Sequence, residues 1–307
     1  MKTLALFALV ATIAVPLHAQ TIDDGIMMTT RSLQVGNVYT HDTWDEYWEG
    51  TLKRTNGNLG TVTTQSNAWN AVYGFTDRLT VMGSVPLAWT RASQGVLQGQ
   101  RGMQDITLGG KFSFLELTSK KAGMLRAIVA VSGSFPLSSY TPDFAPLSIG
   151  TQSQRISPRL TLNYQSNPGW NLNASTSYTR RADVTLDRPY FFTDDQLTLS
   201  NQVPMPNVVD YVVSAGYLNH NLNANVSYFQ QTTQGGGDIR RQDMPFVSNR
   251  QNFSRVGAMA MYPIPKFNRV AVMFSYAYVL DGRNVGQSTT YTTGFIYSHS
   301  NRGRLIR

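Results

Sequence analysis

The feature that most constrains the fold is a two-residue alternation of apolar and polar side chains through long segments of the sequence. In the segment 170–179, one face carries Trp170, Leu172, Ala174, Thr176 and Tyr178, and the other carries Asn171, Asn173, Ser175, Ser177 and Thr179. A period of two is typical of a β-strand whose faces meet two different environments. In an amphipathic helix the apolar residues instead recur about every 3.6 residues. The sequence therefore predicts an all-β fold.

About twelve such segments follow one another along the chain. A tilted transmembrane strand needs roughly 9–11 residues, whereas strands of soluble sheets usually have about 5–6. Several apolar stripes end in Tyr or Trp, as the aromatic girdle of a membrane barrel does. We therefore predict an antiparallel transmembrane β-barrel of about twelve strands, near 32–44, 61–74, 78–90, 103–115, 123–134, 155–166, 170–181, 207–218, 222–232, 252–263, 268–280 and 288–299.

The connections between these segments alternate between short turns and longer polar loops. The short turns contain residues that favour tight turns, at 75–77, 167–169, 219–221 and 263–267. The longer loops lie near 91–102, 135–154, 182–206, 233–251 and 281–287. Outer-membrane barrels have short periplasmic turns and long extracellular loops, so the pattern predicts which end of the barrel faces which compartment.

The N-terminal residues have the layout of a secretory signal peptide. Lys2 precedes an apolar run from Leu4 to Val15, and Ala19 offers a cleavage site. The run is shorter than the roughly 20 residues that a membrane helix needs. We predict a mature protein in the cell outer membrane and four divisions of the chain: a signal peptide (1–19), an N-terminal periplasmic or plug segment (20–31), the β-barrel (32–299) and a basic C-terminal tail (300–307).

Composition narrows the class of protein further. Charged residues make up 14% of the chain and cysteine is absent, which argues against a coiled coil, a disulfide scaffold and a disordered chain. The net charge of +8 is scattered among loops and strand ends, so no nucleic-acid partner is expected. The expected partners are outer-membrane lipid, a small-molecule solute and the outer-membrane assembly machinery.

Three short stretches resemble a known family. Residues 74–79 read Gly-Phe-Thr-Asp-Arg-Leu, residues 84–86 read Ser-Val-Pro, and residues 102–112 read Gly-Met-Gln-Asp-Ile-Thr-Leu-Gly-Gly-Lys-Phe. These motifs and their spacing are similar to those of the family called putative meta-pathway of phenol degradation. The resemblance implies a Gram-negative outer-membrane β-barrel with a transporter-like role, often encoded near enzymes of aromatic degradation.

The sequence shows little that could support catalysis or metal binding. His41 and His299 have no convincing nucleophile beside them, and a hydrolase would need a nucleophile, a base and an orienting group in mutual reach. We therefore expect no catalytic residues, no cofactor and no metal. One acidic cluster allows two interpretations, a calcium site or a solvated group of loop charges: Asp42, Asp45, Glu46 and Glu49.

The polar faces of the predicted strands supply the candidate lumen-lining residues, which are Lys111, Asn163, Asn171, Asn173, Ser175, Asn223, Asn225, Arg255 and Met259. Lys111 and Arg255 would either attract anionic solutes weakly or pair with a neighbouring charge. Two functions remain open. The first is a passive conduit for small solutes, hydrophobic or aromatic compounds among them, and the second is a non-conducting barrel with a structural, adhesive or assembly-partner role.

Overall fold

The computed structural model describes residues 20–193, 195–219, 222–240, 245–265, 267 and 269–300. The predicted signal peptide and the predicted tail beyond Ser300 lie outside the described residues. Within the described ranges, no helix has the length and apolar character that crossing a membrane requires.

The dominant elements are long strands, each of which alternates between two faces. They are β1 (Ser32–Trp44), β2 (Val62–Thr76), β3 (Leu79–Ala92), β4 (Asp105–Ser119), β5 (Gly123–Pro136), β6 (Arg155–Gln165), β7 (Trp170–Arg181), β8 (Asn207–Leu218), β9 (Asn223–Gln234), β10 (Asn252–Pro263), β11 (Val270–Arg283) and β12 (Thr289–Ser300). The short strand Arg101–Met103 continues β4 at its start, because both pair with β3.

These strands form one closed antiparallel barrel. Each strand pairs with the next along the chain, and β12 pairs with β1, where Ser32 lies opposite Ser300 and Thr43 opposite Thr289. Closure leaves no strand edge unpaired, which is the condition for a sheet to exist in lipid. The predicted fold, an all-β antiparallel barrel of twelve strands, is confirmed.

The two faces of the strands differ as the alternation predicts. Leu172 on the outer face is 54% exposed, whereas its neighbour Asn173 is 5% exposed and points inward. Aromatic rings on the outer face contact each other at both ends of the barrel. The ring centroids of Trp170 and Tyr217 lie 5.4 Å apart near the short-turn end, and those of Tyr276 and Tyr291 lie 5.4 Å apart toward the loop end.

The long loops carry structure that their polar composition does not predict. The loop after β1 contains a hairpin of Glu46–Glu49 and Leu52–Thr55, and the loop after β7 contains two further two-stranded pairs. Side chains from the loops after β7 and β9 pack into an apolar cluster of Val184, Leu186, Phe191, Val203, Met205, Phe246 and Val247. The rings of Phe191 and Phe246 stack with centroids 5.5 Å apart. The extracellular end of the barrel therefore has a small core of its own.

The acidic residues near the first loop are divided among separate partners. Glu46 pairs with Lys53 at 2.7 Å, and Glu49 pairs with Arg54 at 2.7 Å. Asp42 accepts a hydrogen bond from the Thr290 hydroxyl at 2.6 Å. In the part of the chain that the structure describes, no group of three or more His, Cys, Asp or Glu side chains is placed to hold a metal ion. The cluster is therefore divided into separate ion pairs and hydrogen bonds, with Asp42 on β1 and the two glutamates in the hairpin of the first loop.

Candidate solute path through the barrel lumen

The residues that precede β1 run inside the barrel. We call residues 20–31 the N-terminal segment. Its backbone is held by side chains of the barrel wall: the Thr80 hydroxyl accepts a hydrogen bond from the Met28 N–H at 3.1 Å, and the Asn173 amide donates to the Asp23 carbonyl at 2.9 Å. Because Thr80 and Asn173 lie on the inward faces of β3 and β7, the segment runs along the inner wall between these strands.

Lys111 on β4 makes the most extensive contact with the N-terminal segment. Its side chain is fully buried, and its ammonium group donates to the carbonyls of Thr21 and Ile26 and to the carboxylate of Asp24, each at 2.8 Å. The Asp24 carbonyl is a further acceptor at 3.3 Å. A buried ammonium is costly unless it is paired and hydrogen-bonded. The segment supplies these partners, so Lys111 and the segment stabilise each other's position.

Two glycines permit the close approach of the segment to the wall. A Cβ atom on Gly25 would lie 2.1 Å from Cγ of Asn163, so only glycine fits against β6 at this point. A Cβ atom on Gly109 would lie 3.1 Å from Cδ1 of Ile22 and 3.2 Å from Cβ of Ser132. Small size at both positions therefore allows the segment to lie directly against the inner surface of the barrel.

A cavity of about 360 Å³ separates the N-terminal segment from the wall formed by β8 to β12. Hydroxyl groups line much of this wall, contributed by Ser214, Ser227, Ser275, Thr290 and Thr292. Amide side chains and two methionines also line the cavity, and these are Asn173, Asn223, Asn225, Met259 and Met273. The cavity therefore combines many weak hydrogen-bonding groups with adaptable apolar contacts.

Arg255 on β10 differs from other cations of the lumen. Its guanidinium lies over the ring of Phe229 with 4.7 Å to the centroid, and its side chain is exposed to the cavity. Among the described residues it has no hydrogen-bond or ion-pair partner, although it lies within electrostatic range of Asp23 and Asp42. The donors of Arg255 therefore face the cavity.

Two other lumen cations, Arg159 and Arg126, are paired with carboxylates. Arg159 on β6 contacts Asp210 at 2.7 Å and also donates to the hydroxyls of Ser175 and Ser177, at 2.8 and 3.1 Å. Arg126 forms an ion pair with Glu116 at 3.3 Å. Pairing of this kind stabilises the wall and leaves little net charge at these positions.

The candidate residues named from the sequence occupy three places in the lumen. Asn173, Asn223, Asn225, Arg255 and Met259 line the cavity. Lys111 and Asn163 lie against the N-terminal segment. Asn171 and Ser175 accept hydrogen bonds within the wall, from Asn163 at 3.2 Å and from Arg159 at 2.8 Å.

Several lumen groups were not anticipated from the sequence. Asp24 could not be matched to Lys111, because 87 positions separate them and only barrel closure brings them together. Arg159 could have been predicted from the sequence, because it lies on the same face of β6 as Thr161 and Asn163, at the same two-residue spacing. The same parity argument would have assigned Met273 to the lumen face of β11.

The extracellular mouth is held by a charged clasp that joins three loops. The Asp238 carboxylate accepts hydrogen bonds from Nε of Arg283 and from the Asn284 amide, each at 2.7 Å. Asn284 in turn accepts hydrogen bonds from the N–H groups of Gly50 and Ile239, at 2.8 and 3.0 Å. The hydrogen bond from Arg283 is the main reason that the pKa of Asp238 is lowered to about 2.

A second contact at the mouth fixes the loop after β5. The hydroxyl of Tyr140 donates to Asp105 at the start of β4, and the same hydroxyl accepts from the Gln152 N–H at 2.8 Å. Burial and the adjacent carboxylate raise the pKa of Tyr140 above its ordinary value, so this phenol keeps its proton and its role as a donor.

Comparison with known proteins agrees with this architecture. An outer membrane channel from Pseudomonas putida F1 is 13% identical, with an alignment that covers 91% of this chain and 100% of that chain at a TM-score of 0.68. The NanC porin is 8% identical, with 85% and 98% covered and a TM-score of 0.48. A mutant of the TodX monoaromatic hydrocarbon channel is 12% identical, with 88% and 90% covered and a TM-score of 0.44. The likeness to the Pseudomonas putida channel shows a shared fold. The other two likenesses are weaker and carry no conclusion about this chain.

The sequence also matches a family directly. The profile of the family described as Putative MetA-pathway of phenol degradation matches residues 53–295, which is more than half of the chain. The search of curated proteins gave no significant match. The resemblance seen in the motifs around Phe75 and Lys111 is thereby confirmed. The chain belongs to the family Putative MetA-pathway of phenol degradation, and its fold is that of an outer-membrane β-barrel.

Proposed function

We propose that this protein is a passive conduit of the outer membrane for small solutes, hydrophobic or aromatic compounds among them. The observation that carries the proposal is the cavity of about 360 Å³ inside a closed barrel, beside a segment that polar side chains of the wall hold in place. Barrels of about eight strands are filled by side chains, and those of about 16 leave an open channel. Twelve strands lie between these limits, so the contents of the lumen decide whether a path exists.

In this proposal the N-terminal segment is a plug that limits the path. Residues 1–19 would direct export and be removed, and the outer-membrane assembly machinery would insert the barrel. Solute would move down its own gradient once the segment shifts. Contacts must stay weak along such a route, because a tightly held solute would not leave. Hydroxyl groups and the flexible thioethers of Met259 and Met273 suit weak, adaptable contact.

The comparisons support this proposal at the level of the fold. The protein from Pseudomonas putida F1 that shares this fold is described as an outer membrane channel. The family description points toward degradation of phenol, which is a small aromatic compound. We propose that this chain has no catalytic role and serves transport instead.

A non-conducting barrel is the second candidate function. The observation that favours it is the set of acceptors that the N-terminal segment gives to Lys111, together with the apolar cluster above the barrel mouth. If neither the segment nor the loops move, no continuous path forms. The protein would then act through its surface, as an adhesive or structural element.

Solute influx into vesicles separates the two candidates. Purified protein is reconstituted into lipid vesicles, and influx is measured for small hydroxylated aromatics and for sugars of similar mass, with protein-free vesicles as the background. The conduit proposal predicts protein-dependent influx that is faster for the aromatics than for the sugars. Absence of protein-dependent influx of every solute, from barrels shown to be folded, would contradict the conduit and support the non-conducting barrel.

A further inference from the structure

We propose that Arg255 and the ring of Phe229 form a recognition site in the lumen cavity for small aromatic carboxylates. The inference rests on the proposed conduit function and narrows its solute class, from small aromatic molecules in general to those that carry an acidic group. Three features of the cavity carry it: the geometry of the guanidinium, the pairing of the surrounding charges and the chemistry of the lining.

The geometry of Arg255 leaves its hydrogen-bond donors available. The guanidinium carbon lies over the ring of Phe229, 4.7 Å from the ring centroid, so the ring covers one side of the group. The N–H donors of a guanidinium lie in its plane, and they match the two oxygens of a carboxylate in a bidentate arrangement. An arginine that rests on a ring and has no partner among the described residues therefore keeps its donors available for a carboxylate.

The surrounding charges distinguish Arg255 from a structural arginine. Arg159 is 10% exposed and is satisfied by Asp210 and two hydroxyls, whereas Arg255 is exposed to the cavity. Arg181, on the inward face of β7 at the extracellular end, adds a second cation whose buried Nε has no partner among the described residues. An anion that passes the mouth would meet Arg181 first and Arg255 deeper in the lumen.

The lining next to Arg255 suits the apolar body of such a solute. Val212 lies opposite Phe229, and Met259 lies four residues beyond Arg255 on β10; both present apolar surface to the same cavity. Its volume of about 360 Å³ falls within the roughly 300–1,000 Å³ typical of small-molecule sites. A single aromatic ring could rest on Val212 and Met259 while its carboxylate contacts Arg255.

The N-terminal segment brings one opposing charge to this site. Asp23 lines the cavity and lies within electrostatic range of Arg255. An organic anion must therefore compete for Arg255 with the Asp23 carboxylate, and with that of Asp42 on β1. Removing the charge of Arg255 should weaken the binding of an organic anion, and removing the charge of Asp23 should strengthen it. A purely structural role of Arg255 would not produce these opposite effects.

Binding of benzoate and of benzyl alcohol tests this inference. The two molecules share a ring and differ in charge, and calorimetry on the purified protein in detergent at neutral pH measures both. We expect Arg255→Met to weaken benzoate binding by about tenfold or more, because hydrogen bonds to charged groups are among the stronger ones, and to leave benzyl alcohol unchanged. Asp23→Asn should strengthen benzoate binding. Arg91→Met, an exposed arginine on the outer face of β3, removes the same charge and should bind as the wild type does.

Two results would overturn the inference: equal binding of benzoate and benzyl alcohol by the wild type, or benzoate binding that Arg255→Met and Asp23→Asn both leave unchanged. Heat-modifiable migration on gels verifies that each variant is folded, and Asp23→Asn keeps the test decisive if Arg255→Met does not fold. Binding in detergent does not need an open path. A barrel that binds benzoate but passes no solute would contradict the conduit function and leave the binding site standing. A barrel that conducts solutes but does not prefer benzoate to benzyl alcohol would contradict the binding site and leave the conduit function standing.

Discussion

Lys111 and Arg255 both lie on the inward face of a barrel strand, yet their surroundings differ. Lys111 is fully buried and donates to acceptors of the N-terminal segment. Arg255 rests on Phe229 and points its donors into a cavity. The difference follows from position, because the segment lies against β4 and the cavity lies against β10. At the residue scale, the segment therefore determines which lumen charges are available to a solute.

Replacing Lys111 tests the attachment of the N-terminal segment. Lys111→Met keeps the length of the side chain and removes the ammonium group, and hydrogen bonds of charged groups contribute about 1.5–3 kcal/mol each. The released form of the segment should become more populated by roughly tenfold or more. Because the chain contains no cysteine, a Thr21→Cys reporter provides a single thiol. Maleimide should label this thiol faster in Lys111→Met than in the parent protein.

The control for this measurement is Lys120→Met, which removes an exposed lysine from a short turn. Its labelling rate should match that of the parent. Equal rates in Lys111→Met and Lys120→Met would show that Lys111 does not hold the segment.

Asp238 allows a test of the clasp at the extracellular mouth. Its folded-state pKa of about 2 lies below the ordinary value of 3.8, so the contribution of the clasp is complete above about pH 4 and is lost as the pH falls through 2. The pair is partly exposed, so the contribution should stay under about 1 kcal/mol. Asp238→Asn at neutral pH should therefore raise amide hydrogen exchange at Ile239 by a fewfold. An unchanged exchange rate would show that Asp238 does not stabilise the loop.

At the element scale, the strands were predictable because each has to satisfy two environments at once. The alternation predicted 252–263, which is the observed range of β10, and 123–134, which is two residues shorter than β5. The loops have no such constraint. The hairpin at 46–55 and the apolar cluster around Phe191 and Phe246 gave no periodic signal, since their residues meet each other only after the barrel has brought the loops together.

Adjacent residues in the middle of β8 test the assignment of the two faces. Val213 is 56% exposed on the outer face, and Ser214 lines the cavity. Arginine near the midplane of the lipid face costs about 2–4 kcal/mol in a membrane barrel. Val213→Arg should therefore lower the free energy of unfolding by this amount, as measured by urea unfolding in lipid vesicles. Ser214→Arg should have a much smaller effect, and equal losses would mean that the faces are assigned to the wrong environments.

At the scale of the whole molecule, closure of the barrel explains why the fold followed from the sequence and the contents of the lumen did not. Pairing of β1 with β12 satisfies every strand edge, and alternation then sorts outward from inward side chains. Which inward residues meet the N-terminal segment and which meet the cavity depends on contacts such as Asp24 with Lys111. These contacts join distant parts of the chain and leave no local pattern.

Single-channel conductance in planar bilayers tests the central claim most directly, that the barrel is a conduit limited by its N-terminal segment. The purified protein is compared with a variant that lacks residues 20–28, both verified as folded by heat-modifiable migration. The account predicts small conductance steps for the wild type and clearly larger steps for the variant, because the cavity of about 360 Å³ would then join the space that the segment leaves. Absence of conductance from both folded proteins would contradict it.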